Sequence, residues 1–173
     1  MEVAKLATER AQDRVVAFGL GGDEARGPAH WFTEAVALTR AHGLRFVPHA
    51  GEITNAQSIW DALELGADRI GHGIHAIEDP RLMAHLRDND IPLEISISSN
   101  VATGAVPSLE DHPVRKLYEA GVPIILNTDD PAMFRTTLDA EYQLAATRFG
   151  FTEDELRALA RDSLQRGIFT LAR

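Results

Sequence analysis

The chain has 173 residues, 45% of them apolar, a formal net charge of −9 and no cysteine. That length fits one domain burying roughly 70% of its unfolded surface, and the lack of cysteine excludes disulfides and every cysteine-ligated zinc site. The negative balance argues against nucleic acid as the main partner, since phosphate binding needs clustered Lys and Arg.

From the N-terminus, Met1-Glu2-Val3-Ala4-Lys5 has neither a basic start nor an apolar run, so no signal peptide is expected. No apolar stretch approaches the ~20 residues of a membrane span. The expectation is a soluble, cytoplasmic protein acting on a small molecule, without membrane or nucleic-acid partners. Short β-branched runs then alternate with helix-period segments. Val15–Leu20 reads as the first strand, followed by a helix over Pro28–His42 with Trp31, Ala35, Leu38 and Ala41 on one stripe and Gly43 as its stop. Arg45–His49 is the second strand, and Asn55 caps a helix carrying Ile59, Leu63 and Leu65. Asp68–Gly71 is the third, and Asp79-Pro80 opens the next helix with proline at its first position. Leu93–Ile97 and Ile124–Asn127 complete the strands, with a helix over Val114–Ala120 between them. Helices over Asp139–Phe149, after a Thr152-x-x-Glu155 capping box, and over Ser163–Ala172 close the chain.

A βα alternation of this kind implies a parallel sheet covered by helices. Five strands suit either an open doubly wound sheet or the last five units of a (β/α)8 barrel. The polar residues favour the barrel: Gly22-Asp23-Glu24, His49 with Glu52, His72, Ser98-Ser99-Asn100 and Asp129-Asp130 each follow a strand. A TIM barrel gathers its chemistry on that single rim, whereas open sheets use only the strands at a switch point. The fold expected is therefore one incomplete TIM-type barrel domain spanning residues 1–173.

Each of these residues taken singly has a plainer explanation. A histidine after an apolar strand is more often structural than chemical, and Glu52 alone is a surface carboxylate. His72 lies between glycines that let backbone approach a ligand, or that merely make a tight turn. Asp129-Asp130 could be a helix cap and a first-turn acid before Pro131. Two adjacent carboxylates nevertheless repel unless a cation or a proton lies between them. On one rim, histidines and carboxylates together point to a metal-dependent hydrolase. His30, His42, His85 and His112 read as packing or solvated groups, and Trp31 and Trp60 as core. His75 reads as structural or as a support for the His72 turn, and Ser98-Ser99-Asn100 equally as loop bonding or as pocket rim.

At this point His49-Ala50-Gly51-Glu52, Arg69-Ile70-Gly71-His72-Gly73, Ser99-Asn100 and Asn127-Thr128-Asp129-Asp130-Pro131 resemble, in order and spacing, the motifs of the adenosine deaminase family. Gly19-Leu20-Gly21-Gly22-Asp23-Glu24 resembles the family's earlier glycine-rich strand end. The resemblance runs along the whole chain and corresponds to the family's C-terminal part. It implies a (β/α)8 barrel with one zinc ion that hydrolytically removes the 6-amino group of a purine, with adenosine as first substrate and adenine or aminodeoxyfutalosine as alternatives. Carried over, His49 and Asp129 resemble zinc ligands, Glu52 the proton donor to purine N1, and His72 the residue that orients or deprotonates the zinc's water. Asp130 resembles the partner of N7, and the Gly22 N–H a contact to N3. A glutamate in that role has to be held protonated, by burial and hydrogen bonding.

The family's His-x-His ligand pair on its first strand has no counterpart in these 173 residues. The segment Glu94–Asn100 and Ile125 also depart from the family pattern, which bears on pocket shape. An arc of five strands has two open edges, so either self-association or a missing N-terminal barrel segment is expected. A metal-dependent hydrolase of another amine or amide, and a catalytically silent half-barrel serving assembly, are the competing readings.

Overall fold

The computed structural model describes residues 1–11 and 13–167. The elements run α1 (Glu2–Glu9), β1 (Ala17–Leu20), a 3-10 turn at Ala29–Phe32, α2 (Thr33–Ala41), β2 (Arg45–Ala50), α3 (Ala56–Glu64) and β3 (Ile70–His72). After a second 3-10 turn at Ile74–Glu78 come α4 (Pro80–Asp88), β4 (Leu93–Ile95), α5 (Ile97–Ala102), α6 (Val114–Glu119), β5 (Ile124–Leu126), α7 (Pro131–Phe134), α8 (Leu138–Phe149) and α9 (Glu153–Gln165). The five strands form one parallel sheet in the order β1-β2-β3-β4-β5, so every connection joins nearest neighbours as in a barrel wall. Registers such as Phe18 with Phe46, Ala50 with His72, and Glu94 with Ile125 align the carboxyl ends of the strands along one rim.

Local chemistry accounts for most boundaries. The Asn55 side chain accepts the Gln57 N–H and that of Asp79 the Arg81 N–H, each supplying an acceptor to a helix start. Thr152 and Glu155 form the reciprocal capping box of α9. Phe46, Ile59, Ile70, Leu82, Leu93 and Leu117 are fully buried between the sheet and its helices. Among the described residues no helix is long and apolar enough to cross a membrane.

Four differences from the sequence reading have physical causes. The strand expected over Leu93–Ile97 stops at Ile95, because Ser96 turns the chain and its carbonyl accepts the Asn100 N–H to start α5. The long helix over Pro28–His42 is split by the 3-10 turn, which leaves Trp31 68% exposed rather than in the core. α1, which the sequence reading did not assign, is a short helix that buries a single residue, Ala4. Of the helix expected over Ser163–Ala172, the described part belongs to α9, which ends at Gln165; residues 168–173 lie outside the described residues.

Candidate active site

The carboxyl ends of β2 and β3 bring His49, Glu52 and His72 together, with one ligand atom from each within 4.8 Å of the others. The His49 and His72 rings meet edge to face at 4.6 Å between centroids. Gly71 makes this possible: a Cβ there would sit 2.7 Å from His49 Cδ2. That glycine makes room for the histidine ring, a constraint distinct from both the ligand approach and the tight turn considered for it. His72 is 3% exposed and takes a left-handed backbone, φ 62°, which turns its ring inward from the strand end. Its Nε2 lies 3.4 Å from Glu52 Oε2.

The turn that presents Glu52 is built around another acid. The Glu24 carboxylate accepts the backbone N–H groups of Gly51, Glu52, Ile53 and Thr54 at 2.7–2.8 Å, filling a nest of amides with negative charge. Burial pushes the Glu24 carboxyl up, but the bonds from Thr54, Ile53 and Gly51 outweigh it and hold the group below the usual glutamate value. His75 braces the same turn, its Nδ1 and backbone N–H both 3.1 Å from the Gly51 carbonyl.

Glu52 shifts the other way. Burial raises its carboxyl; His49 pulls it down, and the charges of Asp129 and Glu24 push it up again, leaving it above the ordinary value. Its bond from Thr103 Oγ1 (3.4 Å) acts downward, so burial and neighbouring charge raise this group where burial with hydrogen bonding was expected. His72 is pushed down to about 4, by burial and then by His49, which keeps it neutral at physiological pH.

Asp129 follows β5 at φ 55° and accepts the Ser99 Oγ hydrogen at 2.7 Å. It is outside the 4.8 Å group, yet its charge reaches both Glu52 and His72. Asp130 occupies the cap position of α7 without a side-chain capping bond and is exposed. Gly22, at φ 103°, lines with Gly21, Leu20 and His49 a cavity of about 330 Å³. A Cβ at Gly22 would meet nothing within 4 Å, so its demand is conformational.

The His49 imidazole, at the end of β2, and the Asp129 carboxylate, after β5 on the same rim, are the donor types that a zinc ion takes at catalytic sites. Glu24, Asn100 and His112 are the residues whose roles the sequence left open. Asn100 is fully buried against His72, and His112 stands behind it at 4% exposure, packed edge to face on Phe149 and also bonded to Asn100, a polar contact that the packing-or-solvated reading did not include. Only their burial marks them out, and sequence pattern does not carry it.

The family model named Adenosine deaminase matches residues 1–170. A putative adenosine/adenine deaminase of Streptomyces coelicolor is 48% identical over 164 residues, 94% of this chain and 48% of that protein. An aminodeoxyfutalosine deaminase of Streptomyces avermitilis is 45% identical over 95% of this chain and 47% of its own length. The crystal structure of adenine deaminase from Arthrobacter aurescens superposes with a TM-score of 0.87 at 30% identity, covering 98% of this chain and 54% of that one. The chain thus spans about half the length of the relatives it matches. With the sheet's βα order, the fold is an incomplete (β/α)8 barrel. The chain belongs to the adenosine deaminase family.

Proposed function

We propose that this chain carries the C-terminal half of a zinc-dependent aminohydrolase site that converts a 6-aminopurine compound, adenosine in the first instance, to the 6-oxo product and ammonia. One observation carries the reading: a glutamate whose carboxyl burial raises above its ordinary value stands beside two histidines at the ends of neighbouring strands. The relatives' names, adenosine/adenine and aminodeoxyfutalosine deaminase, support the purine class.

Within this reading His49 and Asp129 hold the zinc, and Ser99 aims the Asp129 carboxylate by its 2.7 Å bond. When bound, zinc would supply a water whose pKa is lowered to about 7. Glu52 holds a proton at purine N1 and takes up the charge pushed into the ring as C6 is attacked. His72, neutral and fixed, aligns the attacking oxygen. Asp130 and the Gly22 N–H seat N7 and N3. No His-x-His pair occurs in the 173 residues, so the remaining zinc ligands come from outside this sequence, across the open strand edges. A second copy and a further barrel segment are the two sources, and sedimentation distinguishes them.

The test is ammonia release from adenosine, with adenine in parallel, by the purified chain with added zinc, together with zinc stoichiometry. Turnover supports the reading and means that the zinc site is completed across a subunit interface. Zinc bound without ammonia from either purine means that this half of the site needs the further barrel segment, and absence of zinc binding favours the silent half-barrel.

A further inference from the structure

We propose that Asn100 and His112 are positioning residues, forming a one-way chain of hydrogen bonds that locks His72 in its Nε2–H tautomer. The direction is set by a group that can only donate. The Val114 backbone N–H, in the first turn of α6, gives its hydrogen to His112 Nδ1 at 3.2 Å. That nitrogen must therefore be bare, and burial, which pushes His112 down to about 4, keeps the ring neutral with its one proton on Nε2. His112 Nε2 then donates to Asn100 Oδ1 at 3.2 Å. This fixes the orientation of the amide, so Asn100 Nδ2 is the donor to His72 Nδ1 at 3.0 Å. With its Nδ1 lone pair occupied, His72 carries its proton on Nε2, facing Glu52 Oε2 at 3.4 Å. Both relay residues are buried, Asn100 at 0% and His112 at 4% exposure, so water does not compete for these bonds.

The consequence concerns which of the three gathered groups does what. A ring nitrogen that carries hydrogen offers no lone pair, so His72 is neither a metal ligand nor a free base at Nε2. It is a donor aimed into the site. His49 and the carboxylates are left for the metal, and Glu52 for the proton. This assignment of labour rests on the deaminase reading, whereas the tautomer itself does not.

The ring tautomers are read directly by long-range nitrogen–proton correlation NMR of histidine-labelled chain at neutral pH, with His72 assigned by its loss in H72Q. The wild-type spectrum is expected to show hydrogen on Nε2 of both His72 and His112. In N100D the carboxylate can only accept, so His72 must move its hydrogen to Nδ1 while His112 keeps its own on Nε2. H112Q retains a donor to Asn100 and is expected to leave His72 as in wild type, whereas H112F is expected to give a mixture of both His72 tautomers. Circular dichroism confirms that each variant scored is folded. A wild-type His72 with hydrogen on Nδ1, or an N100D or H112F spectrum with His72 unchanged, overturns the proposal. Zinc added to the wild-type sample is expected to give the large coordination shift at a ring nitrogen of His49, while His72 keeps its hydrogen on Nε2. Failure of that shift counts against the metal reading and leaves the relay standing.

Discussion

Replacing Glu24 with alanine removes the acceptor on which the Glu52 turn is built. Four amides lose a charged partner at 2.7–2.8 Å: Gly51, Glu52, Ile53 and Thr54. Their losses are unequal. Gly51 keeps its bond to Ser58 Oγ at 2.8 Å, and Ile53 is exposed enough for water to replace the carboxylate. Glu52 and Thr54 are half-buried and lose the most. Hydrogen bonds to charged groups contribute about 1.5–3 kcal/mol each, and two at the lower end of that range put E24A at about 3 kcal/mol. In a domain of this size 1 kcal/mol moves Tm by about 2–4 °C, so a fall of about 6–12 °C is expected. E24Q keeps one carbonyl oxygen for three of the amides and turns its NH2 toward Gly51, the amide with a second acceptor. About 1 kcal/mol is expected there.

Thermal unfolding followed by circular dichroism across pH is the assay. The Glu24 carboxyl lies below its unfolded value. Its contribution is therefore complete above the unfolded pKa and is lost as pH falls through the folded one. The wild-type and E24A curves should stand apart at neutral pH and converge in acid. Equal Tm at neutral pH, or a gap that does not close in acid, refutes the reasoning.

Other substitutions probe the site itself. Glu52 has the opposite sign: its folded carboxyl is raised, so its stabilisation is present below the unfolded pKa and lost as pH rises through the folded value. E52Q should therefore lower turnover by about 10²–10⁴ with zinc content intact, and also raise Tm at neutral pH; retained turnover or a lower Tm counts against the assignment. G71A places a Cβ 2.7 Å from His49 Cδ2 and must displace the ring. Zinc affinity should fall by about 10-fold or more in calorimetry, and unchanged affinity would remove His49 from the ligand set. S99A deletes the 2.7 Å bond to Asp129, with a similar 10–100-fold loss expected of about the size seen when outer-shell partners of metal ligands are removed. Affinity equal to wild type would mean that Asp129 needs no such aim.

The alternation of strand and helix was legible because it depends on local period and caps. Asn55, Asp79 and Thr152 cap the helices that they precede in the sequence. Residues presented by strand ends were legible for the same reason: His49, Glu52 and His72 follow apolar runs and converge. What sequence does not carry is the partner of a polar group. Glu24 stands 27 positions from Gly51, and Asn100 stands 28 from His72. Those pairings exist only because parallel strands bring distant turns together. Trp31 failed for the complementary reason, since a stripe of apolar residues says nothing of whether a neighbouring element covers it.

The two rims of the sheet treat charge in opposite ways, which favours the proposed chemical site over a structural half-barrel. At the amino ends of the strands the acids are neutralised by arginine: Asp68 by Arg40 at 3.0 Å and Arg45 at 2.6 Å, Glu94 by Arg69 at 2.5 Å, and Asp90 by Arg166 at 2.7 Å. At the carboxyl ends Glu24, Glu52, Asp129 and Asp130 collect with no Arg or Lys within 4.0 Å among the described residues. Glu24 is satisfied by backbone amides. Glu52 responds by a raised carboxyl and Asp129 leans on a single serine hydroxyl. Folding alone would place cations on this rim as it does on the other, because uncompensated carboxylates cost stability. The same rim holds His72 in a left-handed conformation while 3% exposed, whereas Arg14, Asp90 and Arg135, which share that conformation, lie in exposed turns. Strain and unneutralised charge thus coincide where a cation and a proton would relieve them. That concentration is what a chemical site requires and an assembly module does not.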